Sequence, residues 1–146
     1  GAVNMEFISK VHGKINYDKK DVIKFSKGIP GFCELREFII VELKEYEPFK
    51  LLHSLENSEV ALIVASPYEF YEDYEISLKD ETIKNLEIKE ANEVMIMCTV
   101  TLNSDVEKIT MNLQGPIVIN TSNNLGEQII VDNSKYKVKT PLMKEA

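Results

Sequence analysis

The chain has 146 residues and an apolar fraction of 44%, enough to build the core of one domain without disulfides or metals. Its 17 basic and 24 acidic residues give a formal charge of −7. Such a charge repels phosphate backbones and favours basic protein partners, although it also serves simply to keep a protein soluble. No apolar run approaches the roughly 18 residues that a membrane span requires.

The first four residues, Gly-Ala-Val-Asn, precede Met5 and have neither the basic residues nor the apolar core of a signal peptide. Residues 1–4 are interpreted as a cloning remnant and residues 5–146 as a single domain. Cys33 and Cys98 are the only cysteines, and no Cys/His cluster offers a set of metal ligands. Two free thiols are expected in a reducing, cytoplasmic compartment, with Cys98 buried.

The first half of the chain predicts short strands separated by turns. Residues 6–11 and 22–25 are weak strand candidates, and residues 28–31 form a turn because Pro30 fixes φ between two glycines. Apolar, β-branched runs at 38–41 and 61–65 predict strands buried on both faces. Residues 49–55 fit a strand or a helix, and residues 56–59 fit a hairpin loop.

One helix is predicted, from Ser77 to about Leu86. Ser77 and Asp80 resemble a capping box, Ile83 and Leu86 recur at helical spacing, and Asp80 can pair with Lys84. A helix of about two turns is not stable alone, so it is expected to dock on the sheet.

The second half of the chain is dominated by alternation between apolar and polar residues. Residues 94–102 and 109–113 alternate, whereas residues 117–119 and 129–131 are apolar throughout and are predicted as buried strands. Residues 120–126 are a polar connection. The whole pattern predicts an all-β fold, a single-domain antiparallel β-barrel-like fold with one or two short helices.

No catalytic motif is present in the sequence. The glycines of residues 28–31 lack the Lys-Ser/Thr of a phosphate-binding loop, and there is no G-x-S-x-G elbow. His12 and His53 have no neighbouring metal-type ligand and are assigned surface or packing roles, although residues distant in sequence can still converge into a triad. The chain is predicted to be no enzyme, with no catalytic, cofactor-binding or metal-binding residues.

Residues 67–75 hold four aromatic and four acidic side chains. Aromatic residues are enriched at interfaces, and carboxylates around them select a basic partner. The alternative is that the aromatic side chains fill the core and the acids form a solvated rim. The partner-binding residues predicted in this stretch are Glu69, Phe70, Tyr71, Glu72, Asp73 and Tyr74.

Six segments, taken in order, resemble the FliW family of flagellar assembly factors. They are residues 25–32 (Phe-Ser-Lys-Gly-Ile-Pro-Gly-Phe), 48–52 (Pro-Phe-Lys-Leu-Leu), 61–75, 112–120 (Asn-Leu-Gln-Gly-Pro-Ile-Val-Ile-Asn), 126–130 (Gly-Glu-Gln-Ile-Ile) and 140–142 (Thr-Pro-Leu). The resemblance runs from about Met5 to Leu142. Ser66 departs from it, since family members often have Asp before Pro67, and this exchange is expected to alter a turn hydrogen bond.

The resemblance implies a non-catalytic protein with a β-barrel-like fold that switches between partners. FliW-like proteins bind flagellin in the cytoplasm and also bind the carbon storage regulator CsrA, an RNA-binding repressor of flagellin translation. Newly made flagellin captures the FliW-like protein and frees CsrA, which stops further synthesis. The expected partners are therefore flagellin and CsrA, with no direct nucleic acid or membrane, and the chain is expected to be a monomer.

Residues 112–120 form a second candidate contact surface, for which a structural strand-turn-strand is the alternative. The contact residues predicted there are Asn112, Gln114, Pro116, Ile117 and Asn120.

Two competing interpretations remain open. A small cofactor-binding, flavin-type β-barrel enzyme would share the fold class and length, but it needs a basic phosphate-binding cluster. The sequence offers little more than residues 18–20 (Asp-Lys-Lys), with Arg36 as the sole arginine. The second competing interpretation is a generic β-domain without partner specificity.

Overall fold

The computed structural model describes residues 4–143, in which the alternating pattern folds into a closed barrel. The strands are β1 (Asn4–Ser9), β2 (Gly13–Asp18), β3 (Ile23–Lys24), β4 (Glu37–Glu42), β5 (Lys50–Ser54), β6 (Ala61–Ala65), β7 (Val94–Thr101), β8 (Thr110–Met111), β9 (Ile117–Asn120), β10 (Leu125–Gln128) and β11 (Thr140–Pro141). Seven of them close a ring in the order β7-β6-β5-β4-β3-β10-β9, with β9 returning to β7. The β3–β10 pair is parallel and the other pairs of the ring are antiparallel. The predicted all-β barrel-like fold is confirmed.

Helical structure is short, as predicted, but the helix begins later than the sequence indicated. Helix α1 spans Asp80–Asn85, and its N-cap residue is Lys79, which makes no side-chain capping bond. The capping box predicted at Ser77 is therefore wrong. Residues 75–79 have no assigned secondary structure, and Ile76 and Leu78 are half-buried while Ser77 is exposed. Alternate burial of this kind is typical of extended chain, and it competes with helix formation at this point.

Single 3₁₀ turns complete the helical structure of the described residues. They span Lys19–Asp21, Lys44–Tyr46, Pro67–Glu69, Ala91–Glu93 and Val106–Lys108.

The strands predicted from apolar runs at 38–41, 61–65 and 117–119 are confirmed as β4, β6 and β9, and residues 49–55 contain the strand β5. The run at 129–131 is not a buried strand. Its backbone continues the β9–β10 register, because the Ile129 N–H donates to the Pro116 carbonyl oxygen and the Val131 N–H to that of Gln114. However, Ile130 is 62% exposed. Successive side chains of an extended chain point to opposite faces, and the side chain of Ile130 points to solvent.

The turn at residues 28–31 depends on glycine. Gly28 has φ +66°, and a Cβ at this position would lie 2.5 Å from the Cα of Cys33. Both the positive φ and the close approach of the chain exclude a side chain. The turn returns the chain onto itself through the bridge between Ile29 and Phe32.

The buried side chains form two clusters. The first lies among the ring strands and is centred on Phe25 and Phe38, whose rings meet edge to face at 5.3 Å. The second packs the 67–76 segment against β7 and β8 and includes Cys98. Cys98 is fully buried and Cys33 is exposed, and both are free thiols as predicted.

The β1–β2 hairpin is attached to the barrel through a buried histidine. Nδ1 of His53 donates to the Ser54 carbonyl oxygen at 2.7 Å, so Nε2 accepts the Ser9 hydroxyl proton at 2.5 Å. The Ser9 oxygen also accepts the backbone N–H groups of Val11 and His12, which fixes the hairpin turn. His53 thus has a packing position and His12 is exposed. Of the expected cloning remnant, residues 1–3 lie outside the described residues.

Candidate functional site

The stretch predicted as a contact surface, residues 67–75, folds as consecutive tight turns. It begins in the 3₁₀ turn Pro67–Glu69, where the Ser66 hydroxyl oxygen accepts the Tyr68 N–H at 3.3 Å. Ser66 therefore caps this turn with its side chain. The Tyr71 N–H donates to the Pro67 carbonyl oxygen at 2.8 Å, which continues the turn.

The aromatic side chains of this stretch hold it to the barrel. Phe70 stacks on Phe49 with ring centroids 6.0 Å apart. The Tyr71 hydroxyl donates to the Pro141 carbonyl oxygen. Tyr74 is only 4% exposed, and its hydroxyl donates to the Leu113 carbonyl oxygen at 2.7 Å. These contacts fix the backbone of the stretch on both sides.

Tyr74 packs against a second tyrosine. Its ring is 4.6 Å from that of Tyr136, whose hydroxyl oxygen accepts the Glu75 N–H at 2.9 Å. Burial raises the pKa of Tyr74, and burial also raises the pKa of the nearby Cys98 thiol to about 12. Both groups are therefore neutral at physiological pH, which suits a structural role.

The four acidic side chains of the stretch face solvent. Glu69, Glu72, Asp73 and Glu75 are exposed, and we name them the acidic rim. Within residues 4–143 none of the four forms an ion pair. The rim therefore presents four uncompensated carboxylates on a fixed backbone, while the aromatic side chains between them pack inward.

The second predicted contact segment, residues 112–120, is mostly internal. The Asn112 Oδ1 accepts the N–H groups of Gln114 and Gly115, at 3.1 and 2.9 Å, and forms the turn between β8 and β9. Asn112 and Gln114 are half-buried. Pro116 and Ile117 are fully buried, so a partner that docks on the folded surface does not reach them.

Asn120, the last residue predicted there, is also fully buried and satisfied internally. Its Nδ2 donates to the carbonyl oxygens of Leu86 and Glu87, at 2.8 and 3.3 Å. Its Oδ1 accepts from the Ser122 N–H at 3.0 Å and from the Ser122 hydroxyl. Asn120 therefore links the end of α1 to the turn after β9, and its role in this structure is structural.

A groove that sequence reasoning missed lies next to the acidic rim. It has a volume of about 1100 Å³ and runs along the first half of β7. Its apolar lining includes Ile76, Leu78, Ile83 and Ile88, all half-buried. The alternation of apolar residues at Ile76 and Leu78 could have indicated this lining. It lies where the sequence predicted the start of a helix, so it was not interpreted as extended chain.

Neither a metal-binding cluster nor a membrane-spanning helix is found within residues 4–143. Within residues 4–143, no three His, Cys, Asp or Glu side chains lie close enough together to hold a metal ion. No helix of the described chain has the length and apolar character needed to cross a bilayer.

Comparison with known proteins identifies a family. The model of the FliW protein family matches residues 6–142. A flagellar assembly factor FliW of Clostridium beijerinckii is 64% identical over 141 residues, covering 97% of this chain and all of its own. One of Clostridium botulinum (strain Alaska E43 / Type E3) is 57% identical with the same coverage. A crystal structure of the flagellar assembly factor FliW has a TM-score of 0.90 and 35% identity, covering 97% of this chain and 99% of that one.

Proposed function

The chain belongs to the FliW family, and we propose that it is a non-catalytic flagellar assembly factor that binds cytoplasmic flagellin and antagonises the translational repressor CsrA. Flagellin and CsrA exclude each other from the protein, directly or through coupling between two sites. Flagellin that awaits secretion occupies the protein and leaves CsrA free to repress flagellin translation. Secretion of that flagellin returns the protein to CsrA and restores synthesis.

The observation that carries this proposal is the acidic rim. An RNA-binding repressor has a basic surface. Four exposed carboxylates without ion pairs attract such a surface and, once docked beside it, oppose the approach of RNA phosphates. This mode of action needs binding alone and no catalytic group.

The inward-facing aromatic side chains support the same function. Tyr74 and Phe70 hold the backbone of residues 67–75 before any partner arrives. A contact surface that is already ordered loses less conformational entropy on binding than a flexible loop of the same charge. The rim therefore has both the charge and the rigidity that capture of a basic partner requires.

Charge reversal in the rim tests the proposal. In the double variant Glu72→Lys/Asp73→Lys, affinity for CsrA measured by titration calorimetry is expected to fall about ten-fold or more, because attraction becomes repulsion. The matched control is Glu34→Lys/Glu107→Lys, which makes the same change of charge at exposed residues outside the rim. Unchanged affinity for both partners in the rim variant would contradict the role of the rim. Absence of binding by the unaltered chain would contradict the function.

A further inference from the structure

The first half of β7 has no neighbouring strand on one of its two sides. On one side β9 pairs with it from Val94↔Asn120 to Met97↔Ile117. On the other side β6 pairs only at Val64↔Thr99 and Ala65↔Cys98, near the middle of β7. Residues 94–97 therefore form an edge inside an otherwise closed ring.

Pro67 is the reason why β6 stops pairing there. Continuing the register from Ala65↔Cys98 would bring Pro67 opposite Ile96. Proline has no N–H to donate. Its carbonyl oxygen is already used, because it accepts the N–H groups of Phe70 and Tyr71 at 3.1 and 2.8 Å. The 3₁₀ turn thus takes the chain out of the β6–β7 ladder and leaves the Ile96 backbone groups without a strand partner on this side.

The hydrogen-bonding groups that face this open side can be assigned from the register. The Thr121 N–H donates to the Glu93 carbonyl oxygen at 2.8 Å, in line with the β7–β9 pairs. Because bonding direction alternates along a strand, Met95 and Met97 direct their N–H and C=O groups to β9. Ile96 directs both of its groups to the open side, and Val94 directs its C=O there, whereas the Val94 N–H already donates to the Ala91 carbonyl oxygen. Val94 and Ile96 both line the groove of about 1100 Å³ described above.

The surroundings of this edge specify what would pair with it. Half-buried aliphatic side chains line the groove, so they favour apolar side chains at alternate positions of an incoming strand. The carboxylates of Glu47, Glu69 and Glu90 also line it. Of the two lysines there, Lys50 has its Nζ 3.7 Å from the Glu42 carboxylate, which leaves Lys89 against three acids. The groove therefore favours a basic segment.

We propose that this groove binds an extended segment of a partner protein by β-strand addition to the N–H and C=O groups of Ile96 and the C=O group of Val94. The segment carries aliphatic side chains at alternate positions and at least one Lys or Arg that meets the groove carboxylates. Backbone hydrogen bonds supply affinity in this mode, and the side-chain positions supply selectivity. A second copy of the chain is disfavoured as the occupant, since two copies each carry a formal charge of −7. The inference goes beyond the proposed function, because it defines a binding mode and a ligand chemistry independently of flagellin and CsrA.

Amide hydrogen exchange of the free protein gives the first test. The Ile96 amide is expected to exchange faster than those of Met95 and Met97, which serve as controls on the same strand. Equal protection of these three amides would overturn the proposal, since it would mean that the edge is already covered.

Binding is tested with an end-capped peptide of alternating valine and threonine with a lysine at each end. The control peptide has the same side chains but N-methylated amides on its bonding edge. The first peptide is expected to slow exchange at Ile96, and N-methylation is expected to weaken binding about ten-fold or more. Ile83→Ala in the groove is expected to weaken binding, whereas Ile130→Ala, an exposed isoleucine elsewhere, is not. Equal binding of both peptides, no binding of either at millimolar concentration, or protection at another edge would overturn the proposal.

Discussion

The Tyr74 hydroxyl donates a hydrogen bond of 2.7 Å to the carbonyl oxygen of Leu113, 39 residues away in the sequence. This buried bond connects the acidic-aromatic stretch 67–75 with the 112–120 segment, the two regions in which the sequence placed its contact residues. It explains how a stretch with four exposed carboxylates keeps a defined backbone. The bond is also the point at which the structural role of the aromatic side chains can be separated from the binding role of the acids.

Tyr74→Phe removes this hydroxyl and keeps the ring. The Leu113 carbonyl oxygen is then left without its donor, which is expected to lower the free energy of unfolding by about 1–3 kcal/mol. Urea unfolding at pH 7 measures the change. The matched control is Tyr46→Phe, at a tyrosine that is 65% exposed, and it is expected to change stability by less than about 0.5 kcal/mol. Equal effects of the two variants would contradict the role of the Tyr74 bond.

Stability is expected to decrease at alkaline pH because of the buried Cys98 thiol. Burial raises its pKa from 9.0 to about 12, so between these values the unfolded chain releases a proton that the folded chain retains. The contribution is complete below pH 9 and is lost as pH rises, at about 1.4 kcal/mol per pH unit. Cys98→Ala is therefore expected to show a flatter decline than the unaltered chain in urea unfolding from pH 9 to pH 11. A decline of the same slope would contradict the assignment, and Cys33→Ala is the control.

The two cysteines are expected to differ in reactivity as well. Cys33 is exposed, whereas Cys98 is fully buried and held in the thiol form by its raised pKa. Titration of the folded protein with a thiol-reactive disulfide at pH 8 should therefore modify one thiol per chain rapidly. The second should react only in denaturant. Two rapid thiols in the folded protein would contradict the placement of Cys98.

Asn120 is expected to be required for stability. Asn120→Ala removes the donor to Leu86 and the acceptor for Ser122 from a fully buried site. The expected loss is about 2–4 kcal/mol in the free energy of unfolding, because the hydrogen bonds of this buried amide to Leu86, Glu87 and Ser122 are lost together. Asn92→Ala, at an exposed asparagine, is the control and should be nearly neutral. If Asn120→Ala instead weakened partner binding without changing stability, the contact role predicted from the sequence would stand.

Local pattern was sufficient to predict most of the strands, because alternation and β-branched runs reflect which backbone positions can be buried. It failed where contacts between residues distant in the sequence determine burial or secondary structure. Ile130 belongs to an apolar run yet is 62% exposed, because the β9–β10 register turns it outward. Ser77 has the spacing of a capping box, but burial of Ile76 and Leu78 competes with helix there.

The candidate site was predictable only in part, for the same reason. The composition of residues 67–75 pointed to the acidic rim, and the exposure of Glu72 and Asp73 agrees with a surface position. Burial of Ile117 and Asn120 depends on which strands neighbour β9, which spacing does not reveal. The open edge of β7 depends on where β6 departs, and its cause at Pro67 becomes visible only once the pairing is known.

Competition calorimetry tests partner switching most directly. The protein is titrated with the flagellin and with the CsrA homologue of the same source, first singly and then with each partner added to the preformed complex of the other. Partner switching predicts tight binding of both, with flagellin displacing CsrA from the complex. Binding of flagellin and CsrA to the same protein molecule at once, with neither weakening the other, would contradict it.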